Sequence, residues 1–495
     1  MAAGEDISNS GTQSNNHFLH NFFYPDTVAI VGATKNAMKI NYQLVENNVR
    51  LNFRGKVIPI NPNSDEIAGL RAYKSLKDVP EKIDVAVLSI PAGRCLAVIR
   101  ECIDLGIKRI VMVAGGFSEG DSEGMERHEE ARRLIRENGL RIIGPNTLSP
   151  VNAENNFAIS FHRLNTLKRG GVSFVFQSGL YEYKLNWINE QAGVNKVLDL
   201  GNKMDVNEVD ALEYLGGDSS TRVIAMHMES ICGDGREFSS LLKKTTGEKP
   251  VIILKSARTK AGSQAAASHT GSLARENDAV FDGLIKQSGA VRAHNLEDFF
   301  DLAKTFAFLD PPKGNRVAII TLSGGEGVIA TDACEMHGLQ LAEFSRKSYA
   351  ILKEIFPPWE VPLNPFDSGV CFEFHTDDFE NALNKLTAIQ EDDGVDCVIM
   401  QLPTTVVERV KAIDPSDDAL SRMMDFMVKF FLSMKKSGKP FCLWRSAMDE
   451  METEFVRRIE AHSIPVYPSQ ERSARAMAAL YGYSEYIRRN NSPLR

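Results

Sequence analysis

His269 sits in the run "AAASHTGSLA" (265–274), a single imidazole among small residues. Low bulk on both sides permits close approach by another element or by a ligand. A histidine acts as a nucleophile through one ring nitrogen when a partner holds the other. Glu229, closing the apolar run "VIAMHME", is an acid at a strand end that could orient and charge-balance such a ring. Three strand-to-helix turns rich in small residues offer places for an anion. They are "VAIVGATKN" with Gly32, Ala33 and Thr34, "FVFQSGLYEYK" with Ser178 and Gly179, and "LSGGEGVIATDA" with Gly324, Gly325 and Gly327. Small residues let backbone N–H groups approach phosphate, and the helix N-terminus adds about half a positive charge.

These turns exclude several familiar chemistries. GxGxxG is absent from the first, and "KVIPINPN" ends in Asn61 and Pro62 where a ribose-binding acid would stand, which argues against a nicotinamide dehydrogenase. The second does not satisfy GxSxG, so it is not a nucleophile elbow. No Gly-Lys-Ser/Thr follows the third, so it is not a P-loop.

The chain that must position these groups has 495 residues, 43% of them hydrophobic and 25% charged, in the ordinary range for globular proteins. That length suggests about three domains. A net charge of −8 and the lack of a basic block argue against a nucleic-acid partner. Seven dispersed cysteines with no CxxC pair read as reduced thiols in a cytoplasmic protein. Residues 1–16 are small and polar and are expected to be a disordered N-terminus without signal-peptide character. No apolar run approaches the roughly 20 residues that span a bilayer, so no membrane partner is expected.

Strand-like and helix-like segments alternate. "TVAIVGA" (27–33), "KVIPINP" (56–62), "DVAVLSIP" (84–91), "RIVMVAGGF" (109–117) and "LRIIGPN" (140–146) form a first set, with helical stretches over 94–106 and 123–139. Continuous apolar strands joined by helices predict a parallel sheet covered on both faces, a Rossmann-type unit. A second set is "GVSFVFQS" (171–178), "KVLDLG" (196–201), "RVIAMHME" (222–229) and "PVIILKS" (250–256). A third follows the Pro/Gly stretch 310–315: "RVAIITLSGG" (316–325), "CVIMQLP" (397–403) and "PFCLWRS" (440–446). The expected fold is therefore α/β, with three Rossmann/flavodoxin-like domains on parallel sheets. The segment 346–395, containing "PPW" and "NPFD", is expected to be a loop-rich insert.

The combination resembles the NDP-forming acyl-CoA synthetases, relatives of succinyl-CoA synthetase and of ADP-forming acetate–CoA ligase, and in particular their separate α subunit. The resemblance runs from about 20 to 490. It rests on "TVAIVGAT", "GKVIPINPNSDEIAGLRAYKSLKDVP", "VAGGFSEG", "RIIGPNTLSPVN", "QSG", "LGNKMDV", "KPVIILKSARTKAGSQAAASHTGSLA", "SGGEGVIATDA", "NPFD" and "IPVYPSQERSARAMAAL". It implies a CoA-binding Rossmann-like domain over 17–148, a flavodoxin-like ligase domain over 149–310 and a second one over 314–490. CoA binding falls on Gly32, Ala33, Thr34, Asn61, Pro91, Gly116, Phe117 and Asn146. His269 matches the histidine phosphorylated in turnover and Glu229 the acid that steadies it. Ser178 and Gly179 open one helix toward the phosphate, and Gly324, Gly325 and Gly327 a second.

The implied reaction joins a small carboxylic acid to CoA with ATP going to ADP and phosphate, reversibly, through acyl phosphate and phosphohistidine. ATP/ADP and Mg²⁺ are expected on an ATP-grasp β subunit, in an α2β2 assembly, with no metal held by this chain. Leu180 and Glu182 are bulky where this family usually carries small residues after "QSG", which makes them candidates for tuning the acyl pocket. Asn41 stands where many relatives have glycine. The alternative reading is a catalytically silent CoA-binding or regulatory subunit of the same family.

Overall fold

The computed structural model describes residues 16–118, 121–270, 277–414, 416–445 and 450–491. The chain divides into two compact units, Met1–Phe299 and Phe300–Arg495. The first unit carries two large sheets and the second carries one.

The first sheet is built from β1 (Thr27–Val31), β2 (Lys56–Ile60), β5 (Val85–Leu88), β6 (Arg109–Met112) and β7 (Arg141–Ile143), in the order β2-β1-β5-β6-β7. A small hairpin, β3 (Glu66–Ile67) with β4 (Leu70–Arg71), lies apart from it. All four ladders are parallel. Every residue of β1 and β5 is buried, which is why these strands read as unbroken apolar runs rather than alternating ones. The order reverses between β1 and β5, so a crevice is expected outside their carboxyl ends.

The second sheet has the order β14-β13-β12-β10-β11-β8-β9. Its parallel body is β10 (Val172–Phe176), β11 (Lys196–Asp199), β12 (Val223–Met228), β13 (Val251–Lys255) and β14 (Val291–Ala293). The expectation of purely parallel sheets fails at one edge. There β8 (Val151–Asn152) runs antiparallel to β11, and β9 (Phe157–Ala158) antiparallel to β8. A connection of only four residues between β8 and β9 permits no crossover, so the pair must be a hairpin. Two-residue strands leave no alternation to read, and asparagines crowd the segment that joins them. Those asparagines tie the edge down: Asn152 and Asn155 each donate to the Phe23 carbonyl, and Asn48 brackets Ala158. The two sheets of this unit share one core that includes Phe22, Val28, Phe157, Leu198 and Tyr214.

In the second unit, β15 (Arg316–Thr321) pairs with β18 (Cys397–Gln401) on one side. On its other side lie β16 (Gln340–Leu341) at its beginning and β17 (Phe366–Asp367) at its end. β19 (Phe441–Trp444) and β20 (Val466–Tyr467) extend the sheet, which is parallel throughout. The expected loop-rich insert at 346–395 is mostly helical, with helices Arg346–Lys353, Ser368–Glu373, Phe379–Lys385 and Thr387–Glu391. Leu352, Phe372, Leu383 and Ile389 are buried in this unit's core, so even helices this short are held by packing. All seven cysteines are unpaired. No described helix is long and apolar enough to cross a membrane.

One buried acid links this packing to pH. Asp199, at the end of β11, is fully buried, and burial pushes its carboxyl up to about 7 against the pull of the Gly201 and Leu148 amides and Thr147. The native chain therefore holds a proton that the unfolded chain releases near pH 4, so the group's contribution to stability is lost as pH rises through about 4 to 7. Asp199→Asn should flatten the fall in urea midpoint between pH 5 and 7.5, measured side by side with the wild type.

Candidate active site

The carboxyl ends of the first sheet form a continuous rim. Gly32 follows β1 with φ +88°, and a Cβ there would lie 2.2 Å from the Ser89 carbonyl oxygen at the end of β5. Only glycine meets both demands. The Asn61 amide, beyond β2, donates to the Ala33 carbonyl at 2.7 Å, and the Asn41 amide donates to the Gly32 carbonyl at 2.7 Å. Asn41 thus braces the turn from the side. Pro91 caps helix Ala92–Asp104, whose Ala92 faces Gly116 (φ +93°) at the end of β6. Asn146, exposed and at φ +60°, donates its amide to the Ala114 carbonyl at 3.0 Å. Gly32, Ala33, Thr34, Asn61, Pro91, Gly116 and Asn146 all lie on this rim. Phe117 does not present its ring there: it is fully buried in the sheet's core, and only its backbone borders the rim.

The rim continues onto the second sheet. Gly201 (φ +55°) packs so closely on Pro145 that a Cβ would sit 2.2 Å from its carbonyl oxygen, and Asn202 donates to the same oxygen at 2.9 Å. Two residues on, the Lys203 ammonium is buried. It donates to Gln177 Oε1 at 2.9 Å, the Ser230 carbonyl at 2.6 Å and Glu208 Oε2 at 3.1 Å. Gln177 Oε1 also accepts from the Glu229 amide at 2.8 Å and the Ser230 amide at 3.4 Å. Lys255, closing β13, donates to the Glu229 carbonyl at 3.0 Å and to the Ser256 carbonyl at 3.3 Å. Glu229 itself is 7% exposed. His227, two residues earlier, bonds Ser256 Oγ through Nε2 at 2.7 Å, and burial followed by the nearby Lys203 charge holds its imidazole down at about 4. It is a neutral ring at physiological pH.

Gln177, Lys203, Glu208 and Lys255 are the groups that residue-by-residue reading missed. The available signal was a lysine ending an otherwise apolar strand ("VIILK") and another inside "LGNKMD".

The two glycine-opened helices differ from expectation. Ser178 and Gly179 open a 3-10 segment, Gly179–Lys184, and the α-helix begins only at Leu185. Tyr181 fills this interval by stacking on Phe176 with ring centroids 4.5 Å apart and donating to the Leu148 carbonyl. Gly324 opens an α-helix directly, Gly324–Met336, whose cap Ser323 makes no side-chain cap bond. Gly324 and Gly325 are exposed there. Gly327 is buried, and a Cβ on it would meet Pro365 and Thr321 at 3.1 Å, so packing requires that glycine. His269 lies on helix Lys260–Thr270, but its side chain, like those of Leu180 and Glu182, lies outside the described residues. The remainder of the small-residue run from 271 is likewise outside them.

Residues 26–152 match the CoA binding domain, and residues 169–306 match the succinyl-CoA ligase like flavodoxin domain. The acetate–CoA ligase [ADP-forming] II of Archaeoglobus fulgidus is 33% identical over 471 residues, covering 94% of this chain and 67% of that protein. The acetate–CoA ligase [ADP-forming] I subunit alpha of Pyrococcus furiosus is 32% identical over 475 residues, covering 94% of this chain and 98% of that subunit. A solved structure of the dinucleotide forming acetyl-coenzyme A synthetase 1 of Ca. Korarchaeum cryptofilum, in complex with phosphate and ADP, superposes with a TM-score of 0.81 at 30% identity. It covers 96% of this chain and 99% of that one. A CoA-binding sheet joined to a flavodoxin-like ligase sheet defines an acid–thiol ligase. The chain belongs to the NDP-forming acyl-CoA ligase family, that of ADP-forming acetate–CoA ligase, as a catalytic member of its α-subunit type.

The rim predicts one sharp sensitivity. Gly32→Ala should weaken CoA binding by at least about tenfold, because the added Cβ displaces the β1 turn from Ser89 and strains its backbone. Calorimetric titration with CoA, alongside thermal unfolding, measures it.

Proposed function

We propose that this chain transfers a phosphoryl group through His269, with Glu229 orienting and charge-balancing the phosphorylated ring, and passes it to a small carboxylic acid that CoA then captures. One observation supports this most directly. The strand ends form a single ledge from Asn61 through Gly32, Gly116, Asn146 and Gly201 to Glu229. The segment carrying His269 leaves that ledge from β13, whose Lys255 is in register with Met228 beside Glu229. A thiol site and a phosphoryl carrier on one ledge suit a reaction in which both meet the same acyl group.

The steps balance as follows. An imidazole nitrogen of His269 attacks the γ-phosphorus of ATP, and ADP leaves. The phosphoryl group moves from that nitrogen to a carboxylate oxygen of the acid, giving an acyl phosphate. The CoA thiolate adds to its carbonyl, the thioester forms and inorganic phosphate leaves. Dividing the reaction into covalent stages lowers each barrier. Gly32, Ala33, Thr34, Asn61, Pro91, Gly116 and Asn146 hold CoA in this reading, with Phe117 contributing backbone alone. Ser178 and Gly179 on one turn, and Gly324 and Gly325 at the other, offer amides to phosphate. The second is the stronger donor because its α-helix starts at once, and Gly327 serves it by packing. ATP and Mg²⁺ belong to an ATP-grasp β subunit, and the expected assembly is α2β2. The relatives from Pyrococcus furiosus carry the name "subunit alpha", which supports a partner chain.

Incubation with acetyl phosphate, or with labelled ATP and an ATP-grasp partner, should leave an acid-labile, base-stable phosphate on the wild-type chain and none on His269→Ala. Glu229→Gln should slow labelling by about 10- to 100-fold through loss of the group that orients the ring. No label on the wild type under either condition would instead make the chain a CoA-binding subunit without phosphoryl transfer. Glu182→Gly, assayed against a panel of small acids, should shift the order of kcat/KM values among them. An unchanged order would remove Glu182 from substrate choice.

A further inference from the structure

The peptide groups at Glu229 and Ser230 are held on every side by side chains. Gln177 Oε1 accepts both successive amides, Glu229 N at 2.8 Å and Ser230 N at 3.4 Å. The two successive carbonyls accept from two different ammonium groups, Glu229 O from Lys255 at 3.0 Å and Ser230 O from Lys203 at 2.6 Å. Gln177, Lys203 and Lys255 are all buried, so each bond is shielded from competing water. Glu208 completes the arrangement by accepting from Lys203, from the Cys232 amide and from the Gly233 amide at 2.9 Å. The chain beyond Glu229 is therefore fixed as far as Gly233.

Lys255 has a second role in this geometry. It bonds the Ser256 carbonyl as well, at 3.3 Å. Ser256 is the first residue of the connection from β13 to helix Lys260–Thr270. Its amide donates to the Met228 carbonyl at 2.9 Å, and its hydroxyl bonds His227 Nε2 at 2.7 Å. One ammonium thus ties the backbone of Glu229 to the stem of the segment that carries His269.

We propose that Lys255 and Gln177 are positioning residues for Glu229: Gln177 fixes its peptide plane through the amides, and Lys255 fixes its distance from the stem of the histidine segment. The inference rests on the reading of His269 and Glu229 given above and adds the groups that set their relation. A backbone pinned at successive amides and carbonyls leaves the carboxylate only its own side-chain torsions. Displacing a group in such an arrangement by about 1 Å costs on the order of 100-fold in rate.

The experiment is a double-mutant cycle read as the rate of His269 phosphorylation, using labelled ATP with the ATP-grasp partner and the full chain. Lys255→Met should slow labelling by about 100-fold while leaving the CoA dissociation constant within about twofold of wild type. Lys255→Arg, which keeps donors for both carbonyls, should recover part of the rate. In a Glu229→Gln background, Lys255→Met should slow labelling little further, because its effect passes through Glu229. The same factor in both backgrounds would overturn the proposal, as would a Lys255→Met chain labelling at the wild-type rate. Glu229→Gln labelling at the wild-type rate would overturn the reading of Glu229 itself, which separates the two failures. If Lys255→Met does not fold by circular dichroism, the cycle is run through the amides. Gln177→Leu should then lose rate and Gln177→Glu, still an acceptor for both, should keep it. Equal rates for these two variants would overturn the proposal.

Discussion

A buried ammonium must be surrounded by acceptors, and at Lys203 those acceptors come from three separate elements. Its partners are Gln177 after β10, the Ser230 carbonyl after β12 and Glu208 at the start of helix Glu208–Gly217. The ammonium and the Glu208 carboxylate are both almost completely removed from water. Desolvating each of them costs several kcal/mol, and only a complete set of partners offsets that. The cost enforces geometry: three elements can move apart only by leaving a charge unpaired. The second sheet's strand ends are therefore locked together at the place where Glu229 emerges. The loop bearing Lys203 also carries Gly201 and Asn202, which pack on Pro145 at the end of the CoA-binding sheet. One salt bridge thus fixes the second sheet internally and holds the segment that joins it to the first.

Much of this was legible in the sequence, for a physical reason. Strands buried on both faces read as mostly continuous apolar runs, so β1, β5, β10, β12 and β13 declare themselves. Turns at their carboxyl ends must be small, so Gly32 and Gly116 do too. The missed elements obey neither rule. β8 and β9 are two-residue strands held by the Asn152 amide on the Phe23 carbonyl and by the Asn48 side chain on the Ala158 backbone, contacts over more than a hundred residues that no local pattern encodes. The short helices of 346–391 fell below the length at which a 3.6-residue period can be counted. Phe117 and Gly327 were placed by motif in binding roles, yet burial assigns the Phe117 ring to the core and Gly327 to a contact with Pro365. A motif fixes where a backbone turns. It does not say which side chains of the turn face outward.

The site's polar support was the least legible part. Gln177 and Lys255 look in sequence like polar ends of apolar strands, and a polar strand end is ordinarily solvated. Their function appears only when neighbouring strands are placed in register, because each bonds the backbone just beyond β12, Gln177 in addition to its bond with Lys203. Such contacts leave no sequence signature on the partner, since any residue supplies an amide and a carbonyl.

The same sheet contains a third buried lysine, which is held differently. Lys196, at the beginning of β11, donates to Asp218 at 2.7 Å and Ser220 at 2.9 Å. Its acceptors are side chains of one short loop, at the amino ends of the strands, where no rim residue lies. It closes a loop, and its requirements end there. Lys203 and Lys255 lie at the carboxyl ends and each reaches main chain as well: Lys203 bonds the Ser230 carbonyl beside Gln177 and Glu208, and Lys255 bonds the Glu229 and Ser256 carbonyls. A carbonyl acceptor constrains the path of the chain itself, whereas a side-chain acceptor can follow its partner by changing rotamer. Three lysines of similar burial therefore differ in what they fix. The two at the strand ends fix main chain at Glu229 and Ser230, where the carboxylate proposed to steady His269 leaves the backbone.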